Sequence, residues 1–257
     1  MISYPNISPE IVRVGPLAVR WYGIMYLIGF AASYFLVRYQ TKKKGLGLGK
    51  DFVESLYSYL IIGLLLGARF GYVVFYNLAY YLQHPVEVFA IWHGGMSFHG
   101  GLIGSIAAGL LFCRKYDLDF WQMTDIVIVT APIGLGLGRL GNFINGELYG
   151  RVSDVPWAMV FPGGGPFPRH PSQLYEFLLE GVALFTLLWI LKDRGFRSGV
   201  LSALFLILYG LFRFSVEFFR EPDAQLGYLF RVVTMGQILS AFMIIIGAVI
   251  LYARKKA

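Results

Sequence analysis

The sequence is poor in charge and has almost no cysteine. Only 14% of its 257 residues are charged, against roughly 25% in an ordinary soluble domain. The apolar share is 57%, and the mean hydropathy is +0.62. This composition excludes a typical soluble protein and predicts a polytopic helical membrane protein with a single domain. The one cysteine, Cys113, excludes an intrachain disulfide and is expected to be an inert packing residue.

The chain also lacks features that are typical of an intramembrane protease and of a secondary transporter. It has no Gly-x-Ser-x-Gly motif and no pair of membrane-depth aspartates, which an intramembrane protease would use. It shows neither two halves of matching pattern nor paired broken helices, which are typical of a secondary transporter. A lipid-binding scaffold could use arginines inside the membrane, but it has no use for a histidine there.

Seven apolar runs approach the length of about 20 residues that a transmembrane helix needs. They cover residues 17–37, 52–76, 96–113, 121–137, 174–191, 200–219 and 232–252. The sequence therefore predicts an all-α fold of seven transmembrane helices. The two largest outer segments, 77–95 and 139–169, are expected to form a small loop region on one side of the membrane.

The lysines predict the orientation of these helices. All eight follow the first, third, fifth or seventh run, so they lie on one side of the membrane. The positive-inside rule then places the N-terminus outside and the C-terminus inside. The net charge of +7 is accordingly a topology signal and an attraction to anionic lipid, rather than a nucleic-acid patch.

The most unusual stretch runs from Gly138 to Gly150 and reads G-R-L-G-N-F-I-N-G-E-L-Y-G. It follows the fourth apolar run and carries four polar side chains: Arg139, Asn142, Asn145 and Glu147. Such groups are costly at the lipid boundary unless something binds them. The letters G-L-G-R-L-G at 136–141 fit a dinucleotide fingerprint, but the βαβ context is missing. An interfacial loop that only caps the backbone and pairs its own polar groups is the plainer alternative.

Polar residues also occupy three other apolar runs. Tyr22, in W-Y-G near the start of the first run, has the position of an interfacial aromatic anchor. His99, in H-G-G of the third run, is compatible with either a structural or a functional role. The sixth run carries four residues at spacings of four, four and three, which place them on one helical face. They are Tyr209, Arg213, Glu217 and Arg220, and an Arg213–Glu217 ion pair is the simplest expectation.

Several other features are expected to be structural. Arg69 in the second run is expected to pair with a carboxylate such as Glu176 or Glu180. Glycines at 63, 67, 71, 100 and 104 form small-xxx-small ladders, which predict close helix packing. The P-G-G-G-P segment at 162–166 is expected to be a mobile loop.

Together, these motifs resemble the prolipoprotein diacylglyceryl transferase family. G-R-x-G-N-F-x-N-x-E-x-x-G at 138–150 is similar to the signature of that family. W-Y-G, H-G-G, R-F-x-x-E-x-x-R at 213–220 and P-D at 222–223 occur in the family's order across nearly the whole chain. The long signature is specific, whereas each flanking motif is weak alone.

The resemblance implies that the protein transfers the diacylglyceryl group of phosphatidylglycerol to a prolipoprotein. The acceptor is the lipobox cysteine thiol of the signal peptide; the product is a thioether, and glycerol phosphate is released. The resemblance also implies a bacterial cytoplasmic (inner) membrane location, a small periplasmic loop region, a cavity open to lipid, no metal and no organic cofactor. The alternative is a phospholipid-binding or lipid-transporting membrane protein without catalysis.

The resemblance also assigns roles to residues of this chain. The catalytic residues are His99, Arg139 and Arg213. The substrate-binding residues are Tyr22, Asn142, Asn145, Glu147, Gly150, Tyr209, Glu217 and Arg220.

These roles suit the chemistry of the side chains. A neutral imidazole near pKa ~6.5 is a reasonable base for a thiol near ~8.5, although the sequence leaves open whether His99 takes the proton or only positions lipid. Arg139 and Arg213 would bind the phosphate as its charge grows. Glu147 and Glu217 are expected to hold those arginines in place.

Overall fold

The structure is a computed structural model that describes residues 2–5, 7–15, 17–90, 92, 94–222, 228–229 and 233–256. It is mainly helical. The helices are α1 Trp21–Lys43, α2 Lys50–Tyr76, α3 Leu78–Gln83, α4 Phe98–Lys115, α5 Phe120–Ile128, α6 Ala131–Asn145, α7 Ser172–Glu176, α8 Leu184–Leu191, α9 Val200–Val216 and α10 Met235–Lys256. A 3-10 helix, Pro85–Phe89, follows α3, and a π-helical segment, Phe177–Ala183, joins α7 to α8.

Four helical stretches in the described part of the chain are long and apolar enough to cross a membrane. They are Lys50–Tyr76, Phe120–Asn145, Ser172–Leu191 and Met235–Arg254, and α9 is a shorter apolar helix. These five correspond to the second, fourth, fifth, seventh and sixth predicted runs. Helices α1 and α4 cover much of the first and third runs. The structure therefore shows a mainly helical protein of the membrane type.

Two short antiparallel strand pairs were not predicted. Strand β1 (Glu10–Val14) pairs with β2 (Leu17–Arg20), and β3 (Tyr228–Leu229) pairs with β4 (Val233–Thr234). The first predicted helix therefore began four residues too early, because a short apolar run does not distinguish a strand from a helix. The seventh began at residue 232, which lies outside the described residues, and α10 begins at Met235.

The chain divides into two compact units, residues 1–37 with 125–257, and residues 38–124. In the second unit, α2 packs against α4 through the predicted glycine ladders. A Cβ added to Gly67 would lie 2.3 Å from the carbonyl oxygen of Gly100, and one on Gly104 would lie 2.1 Å from that of Gly63. Only glycine permits such an approach, so the prediction of close packing is confirmed.

Arg69, also in the second unit, is a structural residue, but its predicted partner is wrong. Its guanidinium donates to the main-chain carbonyls of residues 87, 88, 90, 94 and 95. These bonds use all five of its N–H groups, so no donor is left for Glu176 or Glu180. The guanidinium carbon also lies 5.1 Å from the ring centroid of Tyr81.

In the first unit, α6, the α7–α8 stretch, α9 and α10 pack around a charged centre. Helix α6 meets the π-helical segment at two glycines: a Cβ on Gly181 would lie 2.8 Å from Cα of Gly136. Helices α9 and α10 approach at Gly210, where a Cβ would lie 2.8 Å from the carbonyl oxygen of Ser240. At these glycines the helix backbones come close together, and charged side chains of α6, α7 and α9 lie beside one another.

Candidate functional site

The helix that carries the first part of the signature ends later than predicted. The fourth apolar run was expected to end at residue 137, but α6 continues to Asn145, so Arg139 and Asn142 are helical rather than part of a loop. Steps of three residues put these side chains on one side of the helix. Gly146, at φ 68° in the left-handed region, ends the helix, as C-terminal glycines commonly do.

Glu176 is the centre of the charged cluster and is 1% exposed. Its Oε2 lies 2.6 Å from Nε of Arg139, and its Oε1 lies 2.5 Å from Nη1 of Arg213. The Nε–H of Arg139 does not point at Oε2, so this contact between Arg139 and Glu176 is an ion pair without a hydrogen bond. Arg220 approaches the same carboxylate, with Nη1 3.8 Å from Oε1. One carboxylate thus brings arginines of α6 and α9 together.

The predicted ion pair between Arg213 and Glu217 is confirmed, with 2.5 Å between Nη2 and Oε1. The other carboxylate oxygen, Oε2, accepts a hydrogen bond of 2.7 Å from the hydroxyl of Thr234. A Cβ on Gly236, in the first turn of α10, would lie 2.4 Å from Oε1. Glu217 therefore packs against the N-terminal end of α10, whose partial positive charge favours a carboxylate. From there it also binds the Arg213 guanidinium.

Glu180, in the π-helical segment, is the third carboxylate of the cluster and is fully buried. Its Oε2 lies 3.7 Å from Nη2 of Arg139, and its Oε1 lies 3.8 Å from Nη1 of Arg213. Neither oxygen has a hydrogen-bond partner among the described residues. The site roles predicted from the sequence omitted both Glu176 and Glu180. Two carboxylates four residues apart in an apolar run are expensive in a membrane, and that signal pointed to them.

Glu147 has partners other than the predicted arginine. Its Oε1 accepts hydrogen bonds from Nδ2 of Asn142 at 2.9 Å and of Asn145 at 3.0 Å. Its main-chain oxygen accepts from Nε2 of Gln173 at 2.6 Å. The expectation that Glu147 holds an arginine is therefore wrong, because Glu176 and Glu180 take that role for Arg139. The signature instead forms a hydrogen-bonded wall, in which the Glu147 carboxylate accepts from the amides of Asn142 and Asn145. The contact with Gln173 was not predicted from the sequence.

Tyr22 lies against the signature helix. A Cβ on Gly141 would lie 2.7 Å from Cδ2 of the Tyr22 ring, and the Tyr22 hydroxyl lies 3.2 Å from that of Tyr26. Tyr209, one turn before Arg213, stacks on Phe205 with 5.8 Å between ring centroids. The rings of Tyr22 and Tyr209 therefore have a packing role in addition to any polar role of their hydroxyls.

Gly150 is the tightest point after the signature helix. Its N–H donates to the carbonyl oxygen of His170 at 2.8 Å, and it forms an isolated β-bridge with Arg220. A Cβ there would lie 2.4 Å from the carbonyl oxygen of Phe219. Gly150 was predicted to bind substrate, but glycine at this position also has a steric cause within the protein itself.

The predicted mobile segment at 162–166 is tied to its surroundings. The hydroxyl of Tyr149 donates to the carbonyl oxygen of Gly163 at 2.6 Å, and Nε of Arg169 donates to that of Gly164 at 2.8 Å. Arg169 also pairs with Glu221, with 3.1 Å between Nη1 and Oε2. These contacts constrain the loop next to the signature.

A second polar chain, missed in the sequence, lies around the start of α7. Trp157 Nε1 donates to the hydroxyl of Tyr175 at 2.6 Å, and that hydroxyl lies 2.9 Å from Nδ1 of His170. Because the hydroxyl accepts from Trp157, its own proton is available for His170, which suits a neutral imidazole. Burial lowers the pKa of His170 below its usual value.

His99 lies in the second unit, in the first turn of α4, and its side chain is exposed. Ser97 caps that helix by accepting a hydrogen bond from the N–H of Gly100 at 3.2 Å. The prediction that His99 acts as a base stays a prediction. Asp223, of the P-D motif, lies outside the described residues.

Comparison with known proteins identifies the family. The family model for prolipoprotein diacylglyceryl transferase matches residues 9–253. A protein of Desulfotalea psychrophila named phosphatidylglycerol–prolipoprotein diacylglyceryl transferase is 54% identical over 259 residues, covering 98% of this chain and 95% of the relative. A protein of the same name from Geobacter sulfurreducens is 54% identical over 257 residues, covering 99% of both chains. A third, from Nitratidesulfovibrio vulgaris, is 52% identical over 248 residues, covering 96% and 94%. The chain belongs to the prolipoprotein diacylglyceryl transferase family.

Proposed function

We propose that this protein transfers the diacylglyceryl group of phosphatidylglycerol to the lipobox cysteine of prolipoproteins in the bacterial cytoplasmic (inner) membrane. The relatives carry the corresponding name and align over nearly the whole chain. The thiolate sulfur attacks the glyceryl carbon of the lipid, and the bond from that carbon to the phosphate oxygen breaks. A thioether forms, and glycerol phosphate leaves with the electron pair of the broken bond.

The exposure pattern of the charged cluster supports this proposal most directly. The side chains of Arg139 and Arg213 are 20% and 12% exposed, whereas those of Glu176 and Glu180 are 1% and 0% exposed. An anion that reaches the cluster therefore meets guanidinium groups first, with carboxylates behind them. Two planar donors in a site of low dielectric suit a phosphate.

The reaction itself gives the arginines a catalytic role. The lipid phosphate begins as a diester with one negative charge and leaves as a monoester that approaches two. Groups that bind the added charge stabilise the transition state more than the bound lipid, and that difference accelerates the reaction. Glu176 and Glu217 support this role by holding both ends of the Arg213 guanidinium.

His99 is proposed as the base that removes the thiol proton. A neutral imidazole can accept that proton, and the exposed side chain at the start of α4 leaves room for a second substrate.

The remaining signature residues are proposed to bind substrate. Asn142, Asn145 and Glu147 would bind headgroup hydroxyls through their hydrogen-bonded wall. The other proposed binding residues are Tyr22, Gly150, Tyr209, Glu217 and Arg220.

The membrane arrangement is proposed to be one domain, 1–257, of seven transmembrane helices around a cavity open to lipid. In this arrangement the four long apolar stretches and α9 would provide five of the helices, and α1 and α4 would provide the other two. The distribution of lysines supports an outside N-terminus and an inside C-terminus.

A reconstituted transfer reaction tests the proposed function. The purified protein is mixed with phosphatidylglycerol labelled in its headgroup and with a lipobox peptide. Labelled glycerol phosphate should be released as the peptide gains the mass of a diacylglyceryl group. A peptide with serine in place of the cysteine should remain unmodified. Lipid binding without peptide modification would favour the alternative of a lipid-binding or lipid-transporting protein.

A further inference from the structure

Counted over the residues that the structure describes, the charged cluster has no surplus positive charge when all its groups are ionised. Three carboxylates face three arginines: Glu176, Glu180 and Glu217 face Arg139, Arg213 and Arg220. A phosphate diester that binds there adds one negative charge to a buried group of residues that is already neutral. Burying an uncompensated charge is costly. The cluster therefore binds the lipid more favourably if one carboxylate gives up its charge.

Glu180 differs from the other two carboxylates in its contacts. Glu176 and Glu217 each have an arginine nitrogen at 2.5 Å, and Glu217 also accepts a hydrogen bond from Thr234. Within the described part of the chain, the shortest arginine approach to Glu180 is 3.7 Å, and neither of its oxygens has a hydrogen-bond partner. Protonation of Glu180 therefore breaks no hydrogen bond, whereas protonation of either neighbour would weaken a direct ion pair.

We propose that Glu180 takes up a proton when the phosphate of phosphatidylglycerol binds at Arg139 and Arg213. The inference rests on the proposed function of those arginines. With Glu180 neutral, the cluster has one net positive charge, which matches the single charge of the diester. Glu180 is then a positioning residue that acts through the arginines, and its proton comes from solvent.

The groups that face Glu180 come from several elements packed around it. They are Arg139 of α6, Glu176 of α7, Tyr209 and Arg213 of α9, and Arg220 after α9. The sequence of α8, LFTLLWIL, contributes no titratable side chain. The arginines remain charged at any ordinary pH and Tyr209 is a weak acid, so only the carboxylates can take up the proton.

The location of Glu180 fits a functional rather than a purely structural carboxylate. It lies in the π-helical segment Phe177–Ala183, and π-helical turns are frequent at functional sites. A structural ion pair would be expected to show direct contacts, as those of Glu176 and Glu217 do. The more distant position lets Glu180 change its charge without loss of the short contacts between its neighbours and the arginines.

Binding of a short-chain phosphatidylglycerol to the full-length protein in detergent micelles tests the proposal. Titration calorimetry between pH 6 and 9, in two buffers of different ionisation enthalpy, measures both affinity and proton uptake. Wild type should take up as much as about one proton, and its affinity should fall by up to about tenfold per pH unit as pH rises. Glu180→Gln should bind without that uptake and with a flatter pH dependence. Glu54→Gln, at an exposed position of α2, should retain the uptake of wild type.

Several outcomes would overturn the proposal. These are arginine-dependent binding by wild type without proton uptake, and an uptake that persists in Glu180→Gln. A Glu180→Gln protein that fails to fold also contradicts it, because the proposal requires a neutral side chain to be compatible with the fold. A failure of the proposed function looks different: wild type would not bind the lipid, or Arg213→Ala would bind it as tightly as wild type.

Discussion

Arg213 and Glu176 form the central ion pair of the site, with 2.5 Å between Nη1 and Oε1. The carboxylate belongs to the fifth predicted span and the arginine to the sixth. Because Glu217 holds the other nitrogen of the same guanidinium, the plane of Arg213 is fixed from two sides. A phosphate that binds to its remaining donors therefore meets a group whose orientation is already set, which reduces the entropic cost of binding.

The predicted topology can be tested with reporter fusions. Because all eight lysines lie in loops on one predicted side, fusions after Lys44, Lys115 and Lys192 should report a cytoplasmic location. A fusion after Gly164 should report an external one. The inverse pattern at these four sites would show that the predicted orientation is wrong.

His99→Gln tests the proposed base. Glutamine keeps a hydrogen-bonding side chain but cannot accept the thiol proton, so transfer should fall by roughly 10²–10⁴. Phosphatidylglycerol binding and thermal stability should remain close to those of wild type, because the side chain is exposed. Transfer at nearly the wild-type rate at neutral pH would reduce His99 to a residue that only positions lipid.

Two glycines of the signature helix provide a matched pair of substitutions. Gly141→Ala places a methyl group 2.7 Å from the ring of Tyr22, and the rearrangement should destabilise the protein by about 1–3 kcal/mol. Apart from its own helix backbone, the alanine of Gly138→Ala meets no atom of the described residues within 4 Å, and the variant should be neutral or slightly stabilising, because alanine is the better helix former. Thermal unfolding of both variants measures the difference. Equal stabilities would contradict the close contact with Tyr22.

Acid should destabilise the region around His170. Since burial lowers the pKa of His170, the unfolded chain binds its proton more readily than the folded protein does. The contribution of the neutral imidazole to stability is therefore present above about pH 6.5 and is lost as pH falls from there through the lowered pKa. His170→Gln should lose less stability than wild type over this range. An identical acid response in a thermal-unfolding series would exclude His170 as a cause.

Much of this structure follows from local sequence pattern. The long apolar runs and the ladder glycines predicted helices and their close packing, because both depend on residue type and spacing. The pair between Arg213 and Glu217 was predictable for the same reason, since the two residues lie one helical turn apart. The C-terminal end of α6 was not predictable, because glycines and polar residues are typical of a loop even where tertiary contacts keep the chain helical.

The remaining errors concern partners that are distant in the sequence. Nothing near Arg139 indicates that Glu176 lies beside it, whereas Glu147 is close in sequence and was assigned to it wrongly. Arg69 was expected to need a carboxylate because its charge lies inside an apolar run, yet five carbonyl groups satisfy it. Charge pattern alone does not distinguish an ion pair from a guanidinium satisfied by carbonyl groups.

Arg213→Lys tests the central claim, that the arginines bind the phosphate as its charge develops. Lysine keeps the charge but loses the planar fork that contacts Glu176 and Glu217 together. The same substitution at Arg139 tests the second donor. Both variants should fold, because an ammonium can still satisfy a plain ion pair, and lipid binding should weaken less than turnover.

The decisive measurement is the rate of transfer to a lipobox peptide by purified Arg213→Lys, with its thermal stability measured alongside. The proposed role of the arginines predicts a stable protein whose rate is lower by roughly 10²–10³, the usual cost of one lost donor to a developing anion. A stable Arg213→Lys protein that transfers at nearly the wild-type rate would contradict it, because the arginine would then only neutralise its neighbouring glutamates.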